Sequence, residues 1–178
     1  NFCDKREFSN NKNLRLPRPK IMALNSIFDF DQFIEFGYPK NQLRLVEALR
    51  YSYLKKNLVL KINKYKNKKS LLVLGSHDNS NTKDQLSILS KVPKNILEHL
   101  EIIYKPHPAS SLDINIFHSL KMKKREESIS ELLPHSNLVY CSSVSSASVD
   151  AFSFGSEVII YNDPNFLNLS PLRKFDEV

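Results

Sequence analysis

From residue 70 onward the chain alternates short apolar runs with amphipathic stretches, and this alternation constrains its fold more than any other feature. The runs at 70–75, 100–104, 138–141 and 158–161 have strand length and near-continuous apolar character. Such runs read as strands buried on both faces, as in parallel sheets. Between them, 82–92 places Leu86, Leu89 and Val92 on one helical face, and 112–120 and 128–133 read as helices, the latter ending at Pro134. Residues 145–154 read as a further helix closed by Gly155. Strands separated by helices imply an α/β fold, a doubly wound parallel sheet of Rossmann-like type with right-handed crossovers. In such a sheet the loops leaving the carboxyl ends of the strands form the ligand crevice.

The first part of the chain is less regular. Residues 1–19 are polar and end in two prolines that disfavour helix. Residues 20–25 predict a short strand, and 30–36 a helix stopped by Gly37 and Pro39. Residues 42–54 predict the best helix of this half, with Leu43, Val46, Ala48, Leu49, Tyr53 and Leu54 near helical spacing and Glu47 and Arg50 three apart. The expected organisation is therefore 1–56, a basic linker at 57–69, and an α/β domain at 70–178.

The 178 residues are 41% hydrophobic and 25% charged, a balance able to bury a core. No run approaches the ~18 apolar residues of a membrane span. The start, Asn1-Phe2-Cys3-Asp4, has neither an initiator Met nor a signal-peptide pattern, so the chain reads as part of something longer. Cys3 and Cys141 show no metal-binding spacing and imply no disulfide framework, which fits a reducing cytoplasm. Cys141, ending an apolar run, reads as a buried thiol.

The net charge of +7 comes largely from Lys-rich stretches at 55–69 and 121–125. Basic clusters are the footprint of nucleic-acid binding. The stretch at 61–69 alternates with Asn and holds a single aromatic residue, Tyr65, so it reads as a solvated linker and no nucleic acid is expected. Peripheral attraction to an anionic membrane surface fits these lysines better.

Two segments carry the chemistry. Lys105-Pro106-His107-Pro108 follows the second strand of the alternating half, and Ser142-Ser143-Val144-Ser145-Ser146-Ala147-Ser148 follows the third. Prolines on both sides hold His107 on a stiff loop, where its ring can donate to a phosphate oxygen; the plainer reading is an incidental loop histidine. The serine run opens a helix whose unpaired amides and partial positive charge attract anions, whereas ordinary capping needs only one serine. Asp150 either reaches a ribose diol or is an exposed first-turn acid favoured by the helix dipole. Gly75 forms a turn at the end of the first strand, with His77 just beyond it, and has a weaker claim. His99, His118 and His135 lack such context. There is no GxGxxG fingerprint, P-loop, HExxH or EF-hand sequence.

Strand-Lys-Pro-His-Pro, then a strand leading into Ser-Ser, then Asp150-Ala151 followed by Gly155 and Val158-Ile159, resembles the carboxyl-terminal domain of GT-B glycosyltransferases. The similarity is closer to bacterial surface-carbohydrate enzymes of the sialyltransferase and polysialyltransferase, Kdo transferase and CDP-glycerol glycerophosphotransferase types. In those groups an HP motif and a serine motif hold the phosphate of a cytidine-nucleotide donor. The resemblance assigns His107 and Pro108 to the first and Ser142, Ser143, Ser145 and Ser146 to the second. Asp150 matches the position of a ribose-contacting Glu. Phe36-Gly37-Tyr38-Pro39 followed by Val46-Glu47-Ala48-Leu49-Arg50-Tyr51 is similar to the passage between the two Rossmann-like domains, making 1–56 the end of an amino-terminal domain with an interdomain helix. The carboxylate motif that supplies the catalytic base in sialyltransferase types is not found here.

The resemblance implies the donor-binding part of a cytoplasmic glycosyltransferase of capsule, O-antigen or lipopolysaccharide synthesis, inactive by itself, with peripheral placement at the inner face of the membrane open to it. His107 would be catalytic, with Lys105, Pro108, Gly75, His77, Asp150 and the four serines on the donor. Its partners would be a nucleotide-sugar donor and a glycan or lipid-linked acceptor, with no cofactor and no tightly bound metal. A UDP-sugar 2-epimerase of the same fold and a non-catalytic nucleotide- or nucleic-acid-binding module are the alternatives. The nucleotide base, sugar, acceptor, linkage and oligomeric state are not legible in the sequence.

Overall fold

The computed structural model describes residues 19–49, 52, 69–165 and 167–173. The chain divides into two compact units, 1–50 and 51–178. The basic segment at 57–68 and Cys3 lie outside the described residues.

The first unit is a small β–α–β arrangement. Strand β1 (Met22–Leu24) pairs in parallel with β2 (Leu43–Leu45) around helix α1 (Ile27–Glu35). Ser26 caps α1 by accepting from the Asp29 amide. At the other end Gly37 adopts φ +89°, its N–H donates to Ile34 O and that of Tyr38 to Phe33 O. This is a Schellman closure, and Tyr38 packs edge-on against Phe33 with ring centroids 5.5 Å apart. Leu24, Phe33, Tyr38 and Leu43 form the core of this unit.

The helix expected at 42–54 does not form in its described part. Lys40–Gln42 make a 3-10 turn and Leu43–Leu45 become β2. Among the described residues of the expected apolar stripe only Leu43 is buried, while Val46 is 44% and Leu49 78% exposed. As β2 this stretch buries Leu43 and satisfies backbone groups of β1, including Leu24 O through the Val46 N–H. Tertiary pairing overrides the local spacing. Arg50, Tyr51, Tyr53 and Leu54 lie outside the described residues.

The second unit is the doubly wound sheet. Five parallel strands, β3 (Lys69–Leu74), β4 (Leu100–Lys105), β5 (Lys123–Lys124), β6 (Leu138–Ser142) and β7 (Glu157–Tyr161), lie in the order β5-β4-β3-β6-β7. Side chains of β3 alternate strictly between the two faces. Leu71 and Val73 meet Leu86 and Leu89 of helix α2 (Asn79–Leu89), while Leu72 and Leu74 join Leu132, Ala147, Ala151 and Phe154 on the other face. Helix α3 (Lys94–Leu97) precedes β4, α4 (Ile129–Leu132) precedes β6, and α5 (Ala147–Ser153) precedes β7. Helices α2 and α5, which follow β3 and β6, cover opposite faces, so the topological switch point lies between these strands. Among the described residues, no helix is long and apolar enough to cross a membrane.

Several boundaries move. α2 starts at Asn79 because Asp78 caps it, accepting from the Ser80 amide at 3.0 Å. The segment at 112–120 is a 3-10 run over Ile114–Leu120, kinked at Phe117. Pro134 does not stop the chain's turn at 133; it sits inside a 3-10 turn, Leu133–His135, that prolongs α4. Strand β5, unexpected from sequence, consists of two lysines at the sheet edge, where charge suits an unpaired ladder. The basic run around it is locally paired: Lys123 with Glu101 at 2.7 Å, Lys124 with Glu126 at 2.9 Å and Arg125 with Glu127 at 3.1 Å. Cys141 is buried, and burial pushes its thiol up to about 12.

Gly75 ends β3 for a packing reason. Its N–H donates to Lys105 O at 3.0 Å, and a Cβ built there would lie 2.8 Å from the Tyr104 hydroxyl oxygen. Tyr104 is only 1% exposed and has little room to retreat. Gly75→Ala should therefore lower the unfolding free energy by about 1–3 kcal/mol. Adding Tyr104→Phe, which deletes the nearest oxygen, should recover part of that loss in urea denaturation. An unchanged midpoint for Gly75→Ala alone would show that the contact relaxes freely.

Candidate functional site

Three loops meet at the carboxyl edge of the sheet. The loop after β3 brings Gly75, Ser76 and His77; the loop after β4 brings Pro106, His107 and Pro108; the loop after β6 brings the serine run. In the order β4-β3-β6, Gly75 stands between the Lys105 and Ser142 strand ends, which are two strand spacings, ~10 Å, apart.

The His107 loop is built by its prolines. Pro108 takes the second position of a turn closed by the Ser110 N–H to His107 O at 2.9 Å. The Ala109 N–H donates to His107 Nδ1 at 3.1 Å. Nδ1 is thus the acceptor, and in the neutral ring Nε2 carries the proton, ready to donate. The His77 ring meets the His107 ring edge-on, with centroids 6.1 Å apart, so the structure brings these two candidates together.

An open pocket of about 420 Å³ lies here, lined by Lys105, His107, Pro108, Ser110, Lys124 and Glu126 among others. That volume is in the range of small-ligand sites. Lys105 Nζ makes a long contact of 3.4 Å to the Glu126 carbonyl, while the Lys124 ammonium is held by the Glu126 carboxylate. Two ammonium groups, one carboxylate and an imidazole give the pocket a net positive character suited to an anionic ligand. Burial pushes the hydroxyl of Tyr104, at the end of the same strand, above its ordinary range.

Sequence reasoning missed Ser110, Ser111, Lys124 and Glu126. The serines directly following Lys-Pro-His-Pro-Ala were a usable signal. Lys124 and Glu126 gave none, because an edge strand of two lysines has no apolar pattern and resembles any solvated charge run.

The serine run occupies a different strand end, and most of it is engaged structurally. Ser142 and Ser143 are 1% and 5% exposed, and the Ser143 N–H donates to Tyr161 O. Ser145 organises the start of α5: its Oγ accepts from the Ala147 amide at 3.3 Å, and its carbonyl accepts from the Ser148 amide and hydroxyl. The Val149 amide turns back to Ser146 O. The amides expected to await an anion are largely satisfied, and α5 begins at Ala147 instead of Ser145. Ser146 is exposed, and its hydroxyl bonds to no described residue. Asp150 is buried at 3% exposure, so it is not the solvent-exposed first-turn acid that one reading expected. Among the described residues, no three His, Cys, Asp or Glu side chains converge as a metal-binding group.

Neither a protein-family profile nor a curated protein sequence matches the chain. Among solved structures it is similar to Anabaena Alr3699/HepE, crystallised in complex with UDP and glucose, at 13% identity and a TM-score of 0.45. The match covers 79% of this chain and 44% of that one, so the chain spans less than half the length of that structure. A likeness of this size transfers neither UDP nor glucose to the present pocket.

The geometry separates the serines by role. Ser145→Ala should cost about 0.5–2 kcal/mol of stability, as for loss of a helix-initiating side-chain acceptor. Ser146→Ala, at an exposed hydroxyl, should stay within about 0.5 kcal/mol. Equal losses in guanidinium unfolding would remove Ser145 from its organising role.

Proposed function

We propose that residues 70–178 form the donor-binding domain of a glycosyltransferase that uses a nucleotide-activated sugar, with a cytidine nucleotide as leaving group, in surface polysaccharide, capsule or lipopolysaccharide synthesis. The observation that carries this reading is the orientation of His107. Its Nδ1 is occupied by the Ala109 amide, and it stands with Lys105 in a cationic pocket at the carboxyl edge of a parallel sheet. The resemblance of the Lys-Pro-His-Pro and serine segments to GT-B enzymes acting on cytidine donors supplies the substrate class.

In this reading the His107 Nε2–H and the Lys105 ammonium stabilise the negative charge that develops on the departing phosphate. Lys124 and Glu126 extend the pocket toward the rest of the nucleotide. His77 supplies a second imidazole beside the first. Imidazole, ammonium and hydroxyls together offset the phosphate charge, so the reading requires no tightly bound metal. Ser146 is the member of the serine run best placed for a ligand, since its hydroxyl is exposed. The resemblance puts the base that takes the acceptor's proton in an amino-terminal domain. Membrane association through the lysines and a lipid-linked acceptor belong to the same proposal.

A thermal-shift panel of CMP, CDP, UDP, GDP and ADP tests the reading. Cytidine nucleotides should stabilise most, by about 2.7 kcal/mol at a hundred times the dissociation constant. His107→Ala should remove roughly 1.5–3 kcal/mol of nucleotide binding while leaving the unfolding midpoint in place. UDP clearly ahead of CMP and CDP would favour a UDP-sugar enzyme such as a 2-epimerase. No response to any nucleotide would defeat the proposal.

A further inference from the structure

Asn79 is the first residue of α2, two residues beyond His77, and its side chain reaches across to the loop after β4. Ser110 Oγ–H donates to Asn79 Oδ1 at 2.7 Å, and Asn79 Nδ2–H donates to Ser111 Oγ at 3.1 Å. One planar carboxamide thus accepts from one residue and donates to the next, which fixes the orientation of that segment as well as its distance. Helix capping does not account for it, because Asp78 already accepts from the Ser80 amide.

The bonds continue from Ser110 to the imidazole. The Ser110 amide closes the turn on His107 O, and within that turn the Ala109 amide holds His107 Nδ1. Pro106 and Pro108 contribute no N–H to any of this, so the loop has few other tethers. Ring orientation, turn and Asn79 form one chain of contacts. It ends on the same β3–α2 connection that presents His77, whose ring lies 6.1 Å from that of His107.

We propose that Asn79 is the positioning residue of the candidate site, strapping the His107 loop to α2 so that the imidazole is held with Nδ1 occupied and Nε2–H available. The ligand role of His107 rests on the donor-site reading above; the strap itself does not. Both Asn79 bonds are at least partly exposed, so their contribution to global stability is small while their effect on ring order is large.

The test is long-range proton–nitrogen NMR of the His107 ring in the ligand-free chain at about pH 8, where an imidazole is ordinarily neutral. It is followed by calorimetric titration with CMP and UDP. The wild-type chain should show one dominant tautomer, protonated at Nε2. Asn79→Ala should move both ring nitrogens toward tautomer-averaged values and weaken nucleotide binding about five- to tenfold, with the urea midpoint nearly unchanged. Asn79→Asp keeps the acceptor for Ser110 and can accept from the Ser111 hydroxyl, so it should restore the ring signature. Unchanged ring nitrogens in Asn79→Ala would overturn the proposal. If that variant loses its fold, Ser110→Ala removes the 2.7 Å bond to Asn79 while keeping the amide that closes the turn, and an unaltered ring signature there overturns it equally. A wild-type chain that binds neither nucleotide defeats the donor-site reading, while the ring signature still decides the strap.

Discussion

The carboxyl-terminal unit depends on β3 being buried on both faces and paired along both edges. Leu71, Leu72, Val73 and Leu74 are all 4% exposed or less, so each contributes a nearly complete side-chain burial. At about 1.5–3 kcal/mol per side chain this is a large share of what a domain of this size can spare. With β4 on one edge and β6 on the other, no register slip is tolerated, because a one-residue shift would exchange the two faces. The helices after β3 and β6 cover opposite faces, so the loops that lead into them part at the carboxyl edge, and the pocket lies at the end of β4, the strand next to β3.

The chemistry at that edge is divided between a rigid floor and a tethered loop. Gly75 makes the floor possible, since Tyr104 occupies the space that a side chain would need. The His107 loop stands above it, held by one turn and by the Asn79 carboxamide. Cationic groups are balanced nearby by acids: Glu126 engages Lys124 and, through its carbonyl, Lys105. In the role proposed above, an incoming phosphate would compete with these weak, solvent-screened contacts at little expense.

Legibility differed sharply between elements. Strands β3, β4, β6 and β7 could be read from their apolar runs, because a strand buried on both sides has no other composition available. The α1 and α5 closures could be read from Gly37 and Gly155, which both take positive φ. Residues 43–45 lay within a segment of helical spacing, yet pairing with β1 decided their conformation. β5 had no apolar pattern at all. Within the site, the Lys105 and His107 positions were legible because proline marks the loop. The serines were ambiguous in sequence: capping and anion binding use the same residue types, and only geometry shows Ser145 bonded inward and Ser146 left open.

By itself the sequence determined the class of fold, the strand ends at which the candidate residues stand and the residue types offered there, since hydrophobic periodicity and proline act locally. The tertiary structure decided which of those residues meet. It put Lys124, from an unforeseen edge strand, and Glu126, just beyond it, beside Lys105 and His107. It buried Asp150, and it let Asn79, 28 positions before His107, hold the loop. Contacts of that kind depend on strand order and on which face each helix covers, and no local pattern of residues encodes them.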